Sequence, residues 1–225
     1  QSDIIKDWAK WTDEPPTANA TLKSIVRGKT ICETYPAGPV YVSIDTHIQE
    51  QPVDETLEPI DPDLPRHTAP PPMGPNEDAL TQAAEMIVNA EFPILVGGRF
   101  GIYERMREPL IELLDLSGAG GLNDRAVYCW PSDHPQNLSG DKDALREADV
   151  IVCMDCIDIN NVMGTYAIRR RSDILEAREK EPPKVIDMSL NAIDNNSWTA
   201  FGGPTPPVDL QIVCEPEYGL ECLTA

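Results

Sequence analysis

Val150-Ile151-Val152-Cys153-Met154 is an unbroken apolar run, led in by Glu147-Ala148-Asp149 and closed by Asp155. A run this short, opening on three β-branched residues, reads as a strand buried on both faces, which is what a parallel sheet requires. Working outward, Ala144 to Ala148 is a short helix before it, and Arg169 to Lys180 is a charged helix after it. Lys184-Val185-Ile186-Asp187-Met188 is the next strand, Leu210-Gln211-Ile212-Val213-Cys214 the last, and Glu217 to Leu223 opens a final helix. Upstream, Glu77 to Ala90 places Ala79, Leu80, Ala83, Met86 and Ile87 on one helical face. Pro93-Ile94-Leu95-Val96-Gly97-Gly98 follows as a buried strand ending in glycines, then a helix over Glu108 to Leu116 and a short strand at Ala126-Val127-Tyr128. Strands alternating with helices predict an α/β fold: a Rossmann-like parallel sheet with helices on both faces, over residues 77–225.

The first fifty residues read differently. Thr21 to Thr34 is a helix with Leu22, Ile25, Val26 and Cys32 on one face, broken by Pro36, Gly38 and Pro39. Val40-Tyr41-Val42-Ser43-Ile44 then reads as a buried strand. This is half of an α/β unit, and nothing upstream reads as the strand that would complete it. Residues 1–53 are therefore expected to be the C-terminal part of an α/β domain that starts earlier. Residues 54–76, with prolines at 59, 62, 65, 70, 71, 72 and 75 and many acids, read as an extended linker stiffened by proline.

The 225 residues carry 38 acidic against 18 basic side chains, a formal charge of −20. Such a surface repels phosphate backbones and anionic lipid, so no nucleic-acid or membrane partner is expected. No apolar run approaches the roughly 20 residues a membrane span needs. The opening Gln-Ser-Asp-Ile-Ile-Lys has neither a signal-peptide pattern nor an initiator Met, so the chain is expected to begin inside a longer sequence or after processing. Cys32, Cys129, Cys153, Cys156, Cys214 and Cys222 mostly sit in apolar runs, as reduced buried thiols do, and predict a cytoplasmic protein.

Several motifs have a chemical reading beside a structural one. Gly97, Gly98 and Arg99, running to Gly101 between a strand and a helix, form a candidate nucleotide turn in which backbone N–H groups could face a phosphate. The spacing falls short of the full dinucleotide fingerprint, and glycines there also serve a tight backbone. Cys153-Met154-Asp155-Cys156 has redox or metal spacing, but Cys153 lies within an apolar strand and no second pair exists, so ordinary buried thiols are expected. His134, beside Asp133 and between Pro131 and Pro135, suits either acid–base work or a rigid turn capped by Asp133; the turn is expected. Arg169-Arg170-Arg171 is followed by Asp173, Glu176 and Glu179 and reads as a solvated helix face. Asp187 could accept ribose hydroxyls or cap the loop after its strand.

Three segments together resemble the acetolactate synthase and benzoylformate decarboxylase group of thiamine diphosphate enzymes. Ala37-Gly38-Pro39-Val40-Tyr41-Val42-Ser43-Ile44-Asp45, with Gln49 after it, is similar to the last strand of that group's pyrimidine-binding domain. Ala83 to Ile87, Pro93 to Gly98 and Pro109 to Leu113 are similar to the opening of its central domain. Glu147 to Val152 and Lys184 to Asp187 resemble that domain's later strands, and Asp133-His134-Pro135-x-Asn137-Leu138 a turn of the same group. The resemblance implies a fragment or subunit of an enzyme that makes or breaks a C–C bond next to a carbonyl. It implies thiamine diphosphate and Mg2+ for the complete enzyme, and the remaining domains or partner subunits of a homo- or hetero-oligomer as partners. The group's cofactor-activating glutamate and its Gly-Asp-Gly…Asn-Asn motif have no counterpart here: Gly140-Asp141 runs into Lys142, and Asn160-Asn161 comes too soon. No catalytic or metal residue carries over, and the isolated chain is expected to be inactive. Where flavin-binding members have Gly-x-Arg this chain has Asp155, Cys156 and Ile157, so FAD or ADP is not expected in the central domain.

Overall fold

The computed structural model describes residues 2–50, 52, 56–57, 59–124, 128–141, 144–160, 162, 182–193 and 207–224, with backbone alone at 101, 102 and 146. It divides into two compact units, one of residues 1–72 and one beginning at Met73.

In the first unit, α1 (Ser2–Ile5) precedes β1 (Trp11–Asp13), α2 (Ala18–Glu33) and β2 (Val40–Val42). β1 pairs in parallel with β2, Trp11 opposite Val40. The helix and strand expected to lack a partner are therefore completed by β1, three residues too short and polar to announce themselves. Strand β2 is half-buried rather than buried. The inner face of α2 is also not the predicted one: Thr21, Ser24 and Gly28 are buried while Ile25 is half-exposed. The reason is close approach. Small side chains let the helix lie against β1 and β2, where a methyl group on Gly28 would sit 3.5 Å from Trp11 and Val40. Thr17 caps the start of α2, and the Lys10 ammonium donates to the carbonyls of Ile31 and Thr34 at its end. Asp45 accepts from the N–H of His47, and Gln49 donates back to the Ile44 carbonyl, which forms the single turn α3 (Thr46–Glu50). The proline-rich stretch is not wholly extended. A 3-10 turn at Pro65–His67 holds to α2 through the Thr30 hydroxyl, which donates to the His67 carbonyl.

The second unit has, among the described residues, a five-stranded parallel sheet. Its strands are β3 (Pro93–Gly97), β4 (Gly120–Asn123), β5 (Val150–Met154), β6 (Lys184–Ser189) and β7 (Leu210–Val213), in the order β4-β3-β5-β6-β7. Alternate strand residues serve opposite faces. Leu95, Val152, Met154, Ile186, Met188 and Ile212 pack with α4 (Glu77–Val88), α5 (Arg107–Ser117) and α7 (Pro216–Thr224). Ile94, Val96, Ile151, Cys153 and Val185 pack on the other face with Ala144 and Leu145 of α6 (Ala144–Glu147) and with Ala148, Ile159 and Val162. Strand β5, Val150 to Met154, is the middle strand and is buried throughout.

The second strand of the sheet is not where it was expected. It is Gly120-Gly121-Leu122-Asn123, whereas Tyr128 is exposed and outside any strand, and 126–127 lie outside the described residues. Glycine is weak strand material, but bulk is barred here. A Cβ on Gly120 would sit 2.4 Å from Leu138, and one on Gly121 3.0 Å from Trp130. Both belong to the turn 129–138, which lies along β4 and bridges it at Gly121 and Asn137. The helix expected over 169–180, with Arg169-Arg170-Arg171, also lies outside the described residues.

Candidate site at the strand-order reversal

β3 has β4 on one side and β5 on the other, so the order in which strands are added reverses there. In open parallel sheets, the crevice beyond the carboxyl ends of two such strands is where ligands bind. The candidate turn Gly97-Gly98-Arg99 leaves β3 at this point, facing Asp155 and Cys156 at the end of β5.

The two segments are in backbone contact. The N–H of Gly98 donates to the Met154 carbonyl at 2.9 Å and that of Arg99 to the Asp155 carbonyl at 3.0 Å. A Cβ on Gly98 would sit 2.0 Å from the Asp155 oxygen, and one on Gly97 2.5 Å from the Cys129 sulfur. Both glycines are thus demanded by neighbouring chain. Arg99 forms a fork on Asp155, Nε to Oδ2 at 3.0 Å and Nη2 to Oδ1 at 2.6 Å. Its Nη2 also reaches Asn191 Oδ1 at 3.1 Å. Asp155 has φ +51°, a left-handed conformation that aspartate tolerates better than most side chains. Burial pushes its carboxyl above the usual range, against the pull of Arg99's hydrogen bonds and charge.

The contacts continue to β6. Asn191 donates through Nδ2 to the Cys156 carbonyl, and its N–H donates to Ser189 Oγ. The Ser189 hydroxyl donates to Asp187 Oδ2, while Asp187 Oδ1 has no hydrogen-bond partner among the described residues. Asp187 lies within β6 rather than at its end and is fully buried, so it faces no ribose. Burial raises its carboxyl to about 6. Where Gly-x-Arg was missing at 155–157, a close backbone approach and an arginine are both present beside Asp155, from Gly98 and Arg99 at the end of β3.

The remaining candidates resolve locally. Cys153 and Cys156 are fully buried; hydrogen bonding to Cys153, then burial, push the Cys156 thiol well above its usual value, so it stays protonated. No group of three or more His, Cys, Asp or Glu among the described residues could hold a metal ion. His134 packs in the 129–138 turn, with Nδ1 accepting the Gln136 N–H and Nε2 3.3 Å from Asp115. Asn137, rather than the expected Asp133, ties this turn, donating to the Pro131 carbonyl at 2.8 Å. Gln136 donates to the carbonyls of Leu114 and Ala119 at the end of α5. Gly140-Asp141 sits in the exposed turn after Leu138, and among the described residues it belongs to no metal-capable group. Two clefts had no signal in the sequence. One of about 520 Å³ lies beyond β1 and β2, lined by Glu14, Ser43, Asp45 and His47. The other, about 490 Å³, lies by Glu85, Asp149 and Lys184 at the amino end of the sheet; Asp149 there is committed to the N–H groups of Glu91 and Phe92. No helix among the described residues is long and apolar enough to cross a membrane.

No family model and no curated protein match the sequence. Solved structures do match the fold. One is a Mycobacterium smegmatis protein assigned as a thiamin diphosphate-dependent enzyme, at TM-score 0.67 and 17% identity, covering 99% of this chain and 40% of that one. Another is benzoylformate decarboxylase from Polynucleobacter necessarius, at TM-score 0.70 and 18% identity, covering 99% and 39%. The chain therefore spans about two fifths of their length, and at such identity the likeness shows the α/β fold alone.

Proposed function

We propose that the chain is a fragment or subunit of a thiamine diphosphate-dependent enzyme making or breaking a C–C bond next to a carbonyl, of the 2-oxo acid decarboxylase, lyase or synthase type. In this reading residues 1–53 belong to a pyrimidine-binding-type domain, 54–76 link, and 77–225 form a central domain that is mainly scaffold. The observation that supports it is the fold match, over 99% of the chain, to a protein assigned as a thiamin diphosphate-dependent enzyme and to a benzoylformate decarboxylase. The residues present do not fit a diphosphate–magnesium site, since the described acids are dispersed or committed to the chain. The cofactor, which would supply carbanion stabilisation when bound, is then held by residues outside this chain. Partner domains or subunits follow from the same reading, and the cytoplasm suits six free thiols.

A second reading, a non-catalytic nucleotide-binding subunit using Gly97, Gly98 and Arg99, is favoured by the position of that turn at the reversal point. The commitment of its N–H groups and guanidinium to β5 favours scaffold instead. Calorimetric titration of the 225-residue chain separates the readings. Scaffold predicts no saturable binding of thiamine diphosphate with Mg2+ or of ADP, and no 2-oxo acid turnover. The flanking reading frame, or a co-purifying chain, is expected to carry a Gly-Asp-Gly…Asn-Asn motif. ADP binding would establish the second reading, and the lack of such a motif on either would overturn the first.

A further inference from the structure

The guanidinium of Arg99 is held from two sides. Asp155 takes Nε and Nη2 in the planar, two-pronged geometry that guanidinium offers to a carboxylate or a phosphate. Asn191, itself fixed by Cys156 and Ser189, takes Nη2 from another direction. The fork is therefore positioned by more than its acid partner. The Arg99 side chain is one-third exposed, against 13% for Asp155, so solvent reaches part of it. The backbone beneath it is closed by the Gly98 and Arg99 hydrogen bonds to β5. The carboxylate on the fork is placed by a residue in left-handed conformation, which glycine would adopt at no cost.

We propose that Asp155 is a built-in anion: its carboxylate holds the position that the carboxylate or phosphate of an anionic ligand would take on the Arg99 fork, so the native second unit is closed to such ligands by its own chain. Aspartate at this position acts as a specificity-determining residue, and its removal turns a structural ion pair into a receptor for small planar anions. The inference concerns the second unit alone and stands whether or not the enzyme reading holds.

The test is chemical rescue with formate. Asp155→Gly deletes the carboxylate, leaves a hole of its size and suits the backbone at φ +51°. Asp155→Asn fills the same space without the charge. Melting temperatures are measured in formate and in chloride at equal ionic strength. For Asp155→Gly, formate is expected to raise the midpoint saturably, by about 3 °C or more over chloride at tenfold excess over its dissociation constant. The native protein, Asp155→Asn and the double variant Asp155→Gly/Arg99→Met are expected to show no formate-specific rise. If Asp155→Gly folds only with formate, the result is the same. The proposal is overturned if Asp155→Gly responds to formate no more than to chloride, folded or unfolded, or if the native protein shows an equal rise.

Discussion

Asp187→Asn should stabilise the second unit, and more at alkaline than at acid pH. Asp187 is fully buried, with one oxygen bonded to Ser189 and the other without a hydrogen-bond partner among the described residues. Its carboxyl titrates near 6, against about 3.9 in an unfolded chain. Because the folded value is the higher, the native state holds the proton more tightly between those values. Stability is greatest below the unfolded value and is lost as pH rises toward and through 6. At 1.36 kcal/mol per unit, ionisation costs the fold about 3 kcal/mol at pH 8 and about 1.5 kcal/mol at pH 5. Asparagine has the same shape, keeps an oxygen for Ser189 and cannot ionise. Its amide brings a donor whose burial without a partner costs about 1 kcal/mol or more at either pH. That pH-independent cost cancels in the comparison, so the stability of Asp187→Asn relative to native should be about 1.5 kcal/mol more favourable at pH 8 than at pH 5. Urea unfolding at the two pH values measures it. A difference indistinguishable between them would refute the claim that this carboxylate is forced to ionise in a dry site.

Two substitutions at glycine should act in opposite directions. Gly98→Ala drives a methyl group into the Asp155 carbonyl, 2.0 Å from the oxygen and 2.4 Å from the carbon, where no side chain can yield. It is expected to cost about 3 kcal/mol or more, read as loss of the cooperative melt of the second unit. Gly28→Ala places its methyl 3.5 Å from Trp11 and Val40, at ordinary contact distance, in the middle of a helix. It should stabilise the first unit by about 1 kcal/mol, seen as a higher midpoint by circular dichroism.

The parts of the fold legible in the sequence were those where burial is continuous. Val150 to Met154 and Pro93 to Gly97 are buried along their whole length, and no competing pattern explains such runs. Helix α4 was equally plain, with Ala83 and Ile87 buried and Asn76 capping its start as helix chemistry dictates. What escaped was set by tertiary contact. Trp11–Asp13 becomes a strand only because Val40–Val42 lies beside it, and Gly120–Asn123 only because Trp130 and Leu138 press on its glycines. On α2 the apolar periodicity misled, since close approach selected Thr21, Ser24 and Gly28 over Ile25. At the candidate site Gly97, Gly98, Arg99, Asp155 and Asp187 had been singled out while Ser189 and Asn191 had not, and the pairing of Arg99 with Asp155 spans 56 positions that no local pattern encodes.

The 129–138 turn along β4 has a consequence for how the molecule behaves in a crowd. An open sheet border is a template that can recruit strands from neighbouring molecules and start precipitation. On β4 that border is already answered from within: Gln136 and Leu138 meet both backbone groups of Gly121 at 2.8 Å. On the far side β7 offers four residues with Gln211 exposed among them. Together with a charge of −20, which makes copies repel one another, this leaves Gly121 on the β4 border with no free backbone group for another copy's strand.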